Sequence, residues 1–252
     1  MTNFTTNQQV LQEQINDLAE LAGGFIHDIK NYISTFQLNL QLIAEEFENP
    51  QNHKDRRALE RINKLQNECG KLVDLSNDFL RFARLQELHC RPCKLNDLIV
   101  DMINFFQPTA KQSGIEIRFY PMENSSVIQA DEDLIKQSIL NLILNAEQAI
   151  PNGGEITLAT RAEGDMIALD VIDTGIGISP EKLETIFRPF HSTKPGGTGL
   201  GLPTTKKIIQ AHGGSISVQS EVGHGTKFTL LLPASSEGHP QAKDSSEVFL
   251  KS

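Results

Sequence analysis

Two asparagines, Asn141 and Asn145, stand four residues apart in the run Asn-Leu-Ile-Leu-Asn-Ala. Residues at that spacing share one face of a helix, and this helix is otherwise apolar. Asparagine is a middling helix former, and a carboxamide among apolar neighbours needs hydrogen-bond partners. Solvent at a helix edge would supply them, and so would a bound ion carrying phosphate oxygens. Downstream, Asp173-Thr-Gly175-Ile-Gly177-Ile178 follows a strand-like run. A carboxylate at a strand end can accept a hydrogen bond from an exocyclic amine such as adenine's, and flanking glycines let the backbone approach a flat ring. The same residues also make an ordinary Asp-turn. Gly196-Gly197-Thr198-Gly199-Leu200-Gly201-Leu202 leads into a helix, with Pro203 in the first turn, where its missing N–H costs nothing. Glycine N–H groups at a helix N-terminus attract phosphate, and Lys194 just before them is placed to meet one. Gly223-His224-Gly225-Thr226 makes a tight turn.

A second constellation lies near the start, in Gly24-Phe-Ile-His27-Asp28-Ile-Lys30-Asn31. A lone helical histidine is ordinarily solvated or structural. Neutral imidazole is nevertheless a good nucleophile near neutral pH, its unperturbed pKa being about 6.5. Asp28 is suited to orient that ring and take its proton. His89-Cys90-Arg-Pro-Cys93 sets a Cys-x2-Cys beside a histidine, but a closed zinc site needs a fourth ligand and no second pair exists. These read as reduced thiols in a linker. The remaining histidines, His53, His191, His212, His224 and His239, read as surface or turn residues.

Two textures must position these groups. In the first part, apolar residues recur at Leu11, Ile15, Leu18, Ala22, Phe25, Ile29, Ile33, Phe36, Leu40, Ile43 and Phe47. Alternating steps of four and three make a helical seam, with a stutter at Ile29–Ile33. His27 falls off that seam. Glu48–Asn52 supplies a stop and turn, and Leu59, Ile62, Leu65, Cys69, Leu72, Leu75, Phe79 and Phe82 continue the pattern. The spacing predicts helices over about 8–48 and 54–88 in an antiparallel hairpin. Its apolar stripes need partners, and pairing two copies into a four-helix bundle supplies them, so a homodimer is expected. From Lys94 the pattern is mixed. It predicts helices over about 96–113 (capped by Asn96), 131–150 and 203–212, and strands over 114–120, 127–130, 155–161, 166–172, 215–220 and 226–232. Residues 173–201 read as a long functional loop, and 234–252 as a disordered tail. The fold class expected is α+β, with helices on one face of a mostly antiparallel sheet.

Composition bounds the function. The 252 residues are 38% hydrophobic and 22% charged, which suits folded cores rather than disorder. Twenty-three basic against thirty-two acidic residues give a formal charge of −9, a poor balance for gripping nucleic acid. No apolar stretch approaches the roughly 18–20 residues of a membrane span, and the first twenty residues are too polar for a signal peptide. Three cysteines do not make a disulfide framework, so a cytoplasmic protein is expected.

In both parts the chain resembles the sensor histidine kinases of two-component signalling. Residues about 94–233 are similar to their ATP-binding domain of the Bergerat (GHKL) type, an α/β sandwich. Asn141 and Asn145 match its N box, Asp173–Gly177 the G1 box, Phe187 and Phe190 the F box, and Gly197–Gly201 the G2 box, with Gly223–Gly225 as the turn after it. There is no Gly-x4-Gly-Lys-Ser/Thr phosphate loop. The resemblance implies that Asn145, with Asn141 beside it, holds Mg2+ on the ATP phosphates. It implies that Asp173 binds the adenine amine, that residues 178–200 form a lid, and that Gly175, Gly177, Phe187, Lys194, Gly197, Thr198, Gly199, Leu200, Gly201 and Thr226 line the nucleotide.

Gly24–Asn31 resembles the H box, with His27 as phosphate acceptor. It implies transfer to an aspartate of a response regulator's receiver domain, and Asn31 can serve there as a phosphatase residue. Tyr32 stands where many members carry proline, so the soft point in the helix is expected at the stutter instead. The implied division is a short segment 1–10, a dimerisation and phosphotransfer hairpin 11–90, a catalytic domain 94–233 and the tail. With no sensory domain expected, the signal would come through an upstream protein. Rival readings are a GHKL ATPase or serine kinase, and a dimeric phosphotransfer adaptor; the H box argues against the first and the intact nucleotide boxes against the second.

Overall fold

The computed structural model describes residues 26, 28–83, 88–123, 127–192 and 197–235. His27, Lys194, the helix expected before residue 26 and the tail from residue 236 lie outside the described residues. Contacts divide the chain into two compact units: the hairpin with Glu184–Lys207, and Leu88–Leu183 with the chain from Ile208 onward.

In the first unit, helix α1 (28–46) turns through 47–52 into α2 (His53–Ala83). Asn52 caps α2, its Oδ1 accepting the N–H groups of Lys54 (2.8 Å) and Asp55 (3.1 Å). Asp55 reaches back to accept the Gln51 N–H at 3.0 Å, a reciprocal arrangement that satisfies orphan donors at the helix start. Only part of the seam is covered: Ile33 and Ile62 are buried, but Phe36, Ile43, Leu65 and Leu72 are exposed by 41–64%.

The second unit opens with a strand that the sequence reading missed. β1 (Arg91–Lys94) pairs antiparallel with β3 (Val127–Ala130), burying Cys93 beside Ile128. Helix α3 (Leu95–Gln112) starts one residue earlier than expected, and Asn96 is not its cap. Instead the Asn96 side chain donates to the Met122 carbonyl (3.3 Å) and accepts from Thr160 Oγ1 (2.9 Å). The five-stranded sheet adds β2 (Ile115–Tyr120), β4 (Gly154–Glu163), β5 (Met166–Asp173), β6 (Ser215–Glu221) and β7 (Gly225–Pro233) in the order β2-β4-β5-β7-β6. Only β2–β4 is parallel.

Alternation along the strands puts Ile156, Leu158, Leu169, Val171, Phe228 and Leu230 on one face, all buried. Against this sheet packs α4 (Glu132–Ala149), whose Ile135, Ile139, Leu142 and Ile143 are fully buried. Asp131 caps α4 through the Leu134 N–H (3.3 Å). On the other sheet face Asp170 is buried, receiving Lys227 Nζ (2.9 Å), Thr229 Oγ1 (2.6 Å) and Arg161. The short helix α5 (Pro180–Leu183) interrupts the expected loop, and α6 (Gly201–Ala211) begins two residues before the position expected. The sheet unit also continues past the expected end at residue 233. The Ala234 N–H bonds the Asp165 carbonyl and that of Ser235 bonds Val127, both at 2.9 Å, so the tail does not start at 234.

Among the histidines, His212 lies in the turn that follows α6 and is buried there rather than on the surface. Its Nε2 accepts the Asp131 N–H at 3.0 Å, and its Nδ1 lies 2.8 Å from the Ile208 carbonyl. A carbonyl can only accept and an N–H only donate, so the ring is neutral with its proton on Nδ1. It joins the end of α6 to the start of α4.

Candidate functional site

Asp173 ends β5 and lies directly opposite Thr226 on β7; both are buried. Residues paired in this way share a face. Asp173 Oδ1 accepts the Gly175 N–H at 2.8 Å, folding the chain back beneath the carboxylate. Gly225, next to Thr226, has φ +95°, and a Cβ there would stand 1.9 Å from the Asp173 carbonyl oxygen. Only glycine lets β7 start this close to the end of β5.

The loop after Asp173 is clamped on two sides. The Ile176 N–H bonds the Ala149 carbonyl at the end of α4 (2.9 Å), and a Cβ on Gly175 would meet that same oxygen at 2.4 Å. On the other side the Gly223 N–H bonds the Ile176 carbonyl (2.9 Å), and a Cβ on Gly177 (φ +70°) would meet the Glu221 carbonyl oxygen at 2.1 Å. At Gly175 and Gly177 the place of a Cβ is taken by the protein's own backbone, which holds the loop to α4 and to the β6–β7 turn.

Ser220 is a residue that the sequence reading did not single out. Its Oγ accepts the Ile178 N–H (2.8 Å), donates to the Gly225 carbonyl (2.8 Å) and lies 3.0 Å from Thr226 Oγ1. The signal was there: Ile216, Val218 and Ser220 alternate on the inward side of β6, and a hydroxyl ending an inward apolar row needs partners.

Asn141 and Asn145 lie half-buried on α4, one turn apart, with Asn145 one turn before Ala149. Amide oxygens are hard donors of the kind Mg2+ accepts. The described residues contain no cluster of three or more His, Cys, Asp or Glu fit for a metal. A magnesium ion here would therefore be held by one or two side-chain oxygens together with a ligand's phosphates and water, which is the usual mode for this ion. The donor set fits.

The remaining candidates belong to the other unit. Asp28 and Asn31 are exposed on α1. The Phe187 ring has Lys206 Nζ 5.4 Å from its centroid. Phe190 takes a left-handed φ of 62°, costly for an aromatic residue, and stacks on Phe79 with centroids 6.1 Å apart. Its N–H bonds the Gly199 carbonyl at 3.1 Å, and Gly199 itself has φ +66°. Thr198 Oγ1 donates to Asp78 Oδ2 of α2 at 2.9 Å. Gly197 is exposed and Leu200 fully buried. Gly201 is the first residue of α6, its carbonyl accepting Thr205 Oγ1 at 3.1 Å. Lys207 Nζ donates to the Phe82 carbonyl at 2.8 Å, and burial holds its amine below the ordinary lysine pKa.

A sheet with an acidic strand end and a glycine loop pinned to an asparagine-bearing helix define an α/β fold of the nucleotide-binding kind, in a chain that also carries a helical hairpin. Residues 130–236 match the family described as histidine kinase-, DNA gyrase B-, and HSP90-like ATPase. The chain is 35% identical over 223 residues to the sensor histidine kinase ZraS of Salmonella typhi, an alignment covering 88% of this chain and 47% of that protein. It thus spans about half the length of this relative. The catalytic domain of histidine kinase ThkA, in a nucleotide-free form, superposes with a TM-score of 0.55 at 31% identity, covering 61% of this chain and 100% of that one. Full-length ShkA in complex with AMPPNP gives a TM-score of 0.66 at 28% identity, covering 83% and 45%. The chain belongs to the sensor histidine kinases.

Proposed function

We propose that this chain is an ATP-dependent protein-histidine kinase, with the phosphate acceptor in the hairpin (11–90) and the nucleotide in the domain 94–233. One observation carries the reading: Asp173 and Thr226 stand side by side at the mouth of a loop bolted to the helix that bears Asn145. Asp173 accepts from the base's exocyclic amine. The N–H groups of Gly197–Gly201, at the start of α6, take the phosphates through hydrogen bonds and the helix dipole. Phe187, Leu200 and Lys194 complete the lid. Asn145 would hold Mg2+, with Asn141 beside it, and the ion would offset charge on the transferring phosphoryl group. The ShkA complex with AMPPNP supports a nucleotide in this fold.

In the transfer, a nitrogen of His27 attacks the γ-phosphorus. The N–P bond forms as the bond to the β–γ bridging oxygen breaks, ADP leaves, and Asp28 takes the ring proton. The phosphoramidate then passes to an aspartate of a response regulator's receiver domain, and Asn31 orients the water that later hydrolyses that acyl phosphate. Two copies form a four-helix bundle. The exposure of Phe36, Ile43, Leu65 and Leu72 along the hairpin supports this, because such a stripe on a lone hairpin is a cost in water. None of the described helices is long and apolar enough to cross a membrane. We place the reaction in the cytoplasm, in keeping with three free thiols.

The test is incubation with γ-labelled ATP and Mg2+. Label that is acid-labile and alkali-stable, and lost in His27→Gln, is expected. Acid-stable label would favour a serine kinase, and no label despite ATP binding would favour the adaptor.

A further inference from the structure

Asp173, Thr226 and Ser220 form one row across β5, β7 and β6, because Thr226 is in register with Asp173 on one side and with Ser220 on the other. The protons in this row can be counted. Ser220 has a single O–H. The Ile178 N–H can only donate, so it uses one lone pair of Ser220 Oγ at 2.8 Å. The Gly225 carbonyl can only accept, so at 2.8 Å it takes the Ser220 proton. The remaining contact, Ser220 Oγ to Thr226 Oγ1 at 3.0 Å, then requires the Thr226 proton. Thr226 is a donor toward Ser220 and has only lone pairs left for anything on its other side. Its cross-strand neighbour Asp173 is an acceptor as well, once ionised.

From this row we infer that Ser220 is a specificity-determining positioning residue. By taking the Thr226 proton it holds Thr226 as an acceptor, so that the pocket is complementary to a base carrying an amine and mismatched to one carrying a carbonyl at that position. The inference rests on the reading that Asp173 and Thr226 face the base. Two acceptors side by side satisfy the two N–H groups of an exocyclic amine. A carbonyl in the same place would set oxygen against oxygen, and a polar pocket rejects an analogue strongly in that way.

The experiment compares ATP with inosine triphosphate, which has a carbonyl where adenine has its amine and an N–H at ring N1 where adenine has a bare nitrogen. Dissociation constants of both are measured on the full chain with Mg2+, for the native protein and for Ser220→Ala, Ser220→Thr, Thr226→Val and Asp173→Asn. The native protein is expected to prefer ATP. Ser220→Ala frees the Thr226 hydroxyl to donate, and the preference for ATP should fall about tenfold, the worth of one hydrogen bond. Ser220→Thr should restore it, and Thr226→Val should lower it at least as far as Ser220→Ala.

A merely structural serine would weaken both nucleotides equally and leave the ratio unchanged, and that result overturns the inference. Should Ser220→Ala not fold, an unchanged ratio in Thr226→Val does the same. If Asp173→Asn also leaves the ratio unchanged, or the native protein shows no preference, the reading of the base site itself has failed. If Asp173→Asn collapses the ratio while Ser220→Ala does not, only the role of Ser220 is lost.

Discussion

Gly225 and Gly223 stand two residues apart in one turn, and replacing each by alanine separates two costs that usually come together. Both have left-handed φ values, +95° and +84°. An L side chain at such a φ costs about 1–2 kcal/mol. A Cβ on Gly223 meets nothing within 4 Å, so Gly223→Ala should cost that much and no more. A Cβ on Gly225 would lie 1.9 Å from the Asp173 carbonyl oxygen, 2.9 Å from its carbon and 3.1 Å from Thr174 Cα, all of them backbone. Backbone cannot swing aside as a side chain can. The start of β7 must move by about an ångström, and overpacking of this kind adds about 1–3 kcal/mol.

Gly225→Ala should therefore destabilise the sheet by about 2–5 kcal/mol and pull Thr226 out of register with Asp173. Amide hydrogen exchange on peptides covering β5 and β7 reads this sheet separately from the hairpin, which bulk unfolding of a two-unit chain does not. Faster exchange there and weaker ATP binding are expected for Gly225→Ala, with Gly223→Ala close to native in binding. Equal exchange and equal ATP affinity in the two variants would refute the claim that close backbone approach shapes this site.

Three further outcomes follow from other parts of the molecule. Burial alone would raise the Asp170 carboxyl pKa, but hydrogen bonds from Arg161, Thr229 and Lys227 outweigh it and hold it below the ordinary aspartate value. Its stabilisation is thus present above about pH 4 and lost as pH falls through the lower folded-state value. Asp170→Asn should cost about 2 kcal/mol at neutral pH and progressively less in acid, as read by denaturation at a series of pH values. Burial, with Glu132 nearby, pushes the Cys93 thiol up to about 11. At pH 8 it should react with iodoacetamide at least a hundredfold more slowly than an exposed thiol of pKa about 8.5, with exposed Cys90 labelled first by mass spectrometry. The native chain is expected to dimerise, and Leu72→Glu, at a seam position 48% exposed, should leave it monomeric in light scattering while helical circular dichroism per residue is kept.

Local patterns were the legible part. The 131–150 helix with Asp131 at its start, the alternating strands on either side of Gly164, and the asparagine pair on one helical face all follow from period, caps and turn residues within one segment. What escaped depends on partners far along the chain. β1 has four residues and exists because β3 pairs with it. Asn96 looks like a helix cap, but its amide serves Thr160, 64 residues away. His212 before two glycines has the look of an exposed helix end, yet the Asp131 N–H needs its ring from 81 residues away. Thr198, which the resemblance sets among the residues lining the nucleotide, also donates to Asp78 across 120 residues, a contact that no local pattern announces. At Gly175 and Gly177 the backbone that forbids a Cβ, at Ala149 and Glu221, is distant in sequence, so this reason for glycine was not legible locally.

The central claim is that a nucleotide held in the sheet domain gives its γ-phosphoryl group to His27. The direct test is to incubate the chain briefly with ATP and Mg2+, digest it at neutral to alkaline pH where a phosphoramidate survives, and locate the added phosphoryl group by tandem mass spectrometry. Modification on His27 is expected, at strongly reduced yield in Asp173→Asn through weakened ATP binding. A phosphoryl group on a serine or threonine, or on His27 at undiminished yield in Asp173→Asn, would contradict it.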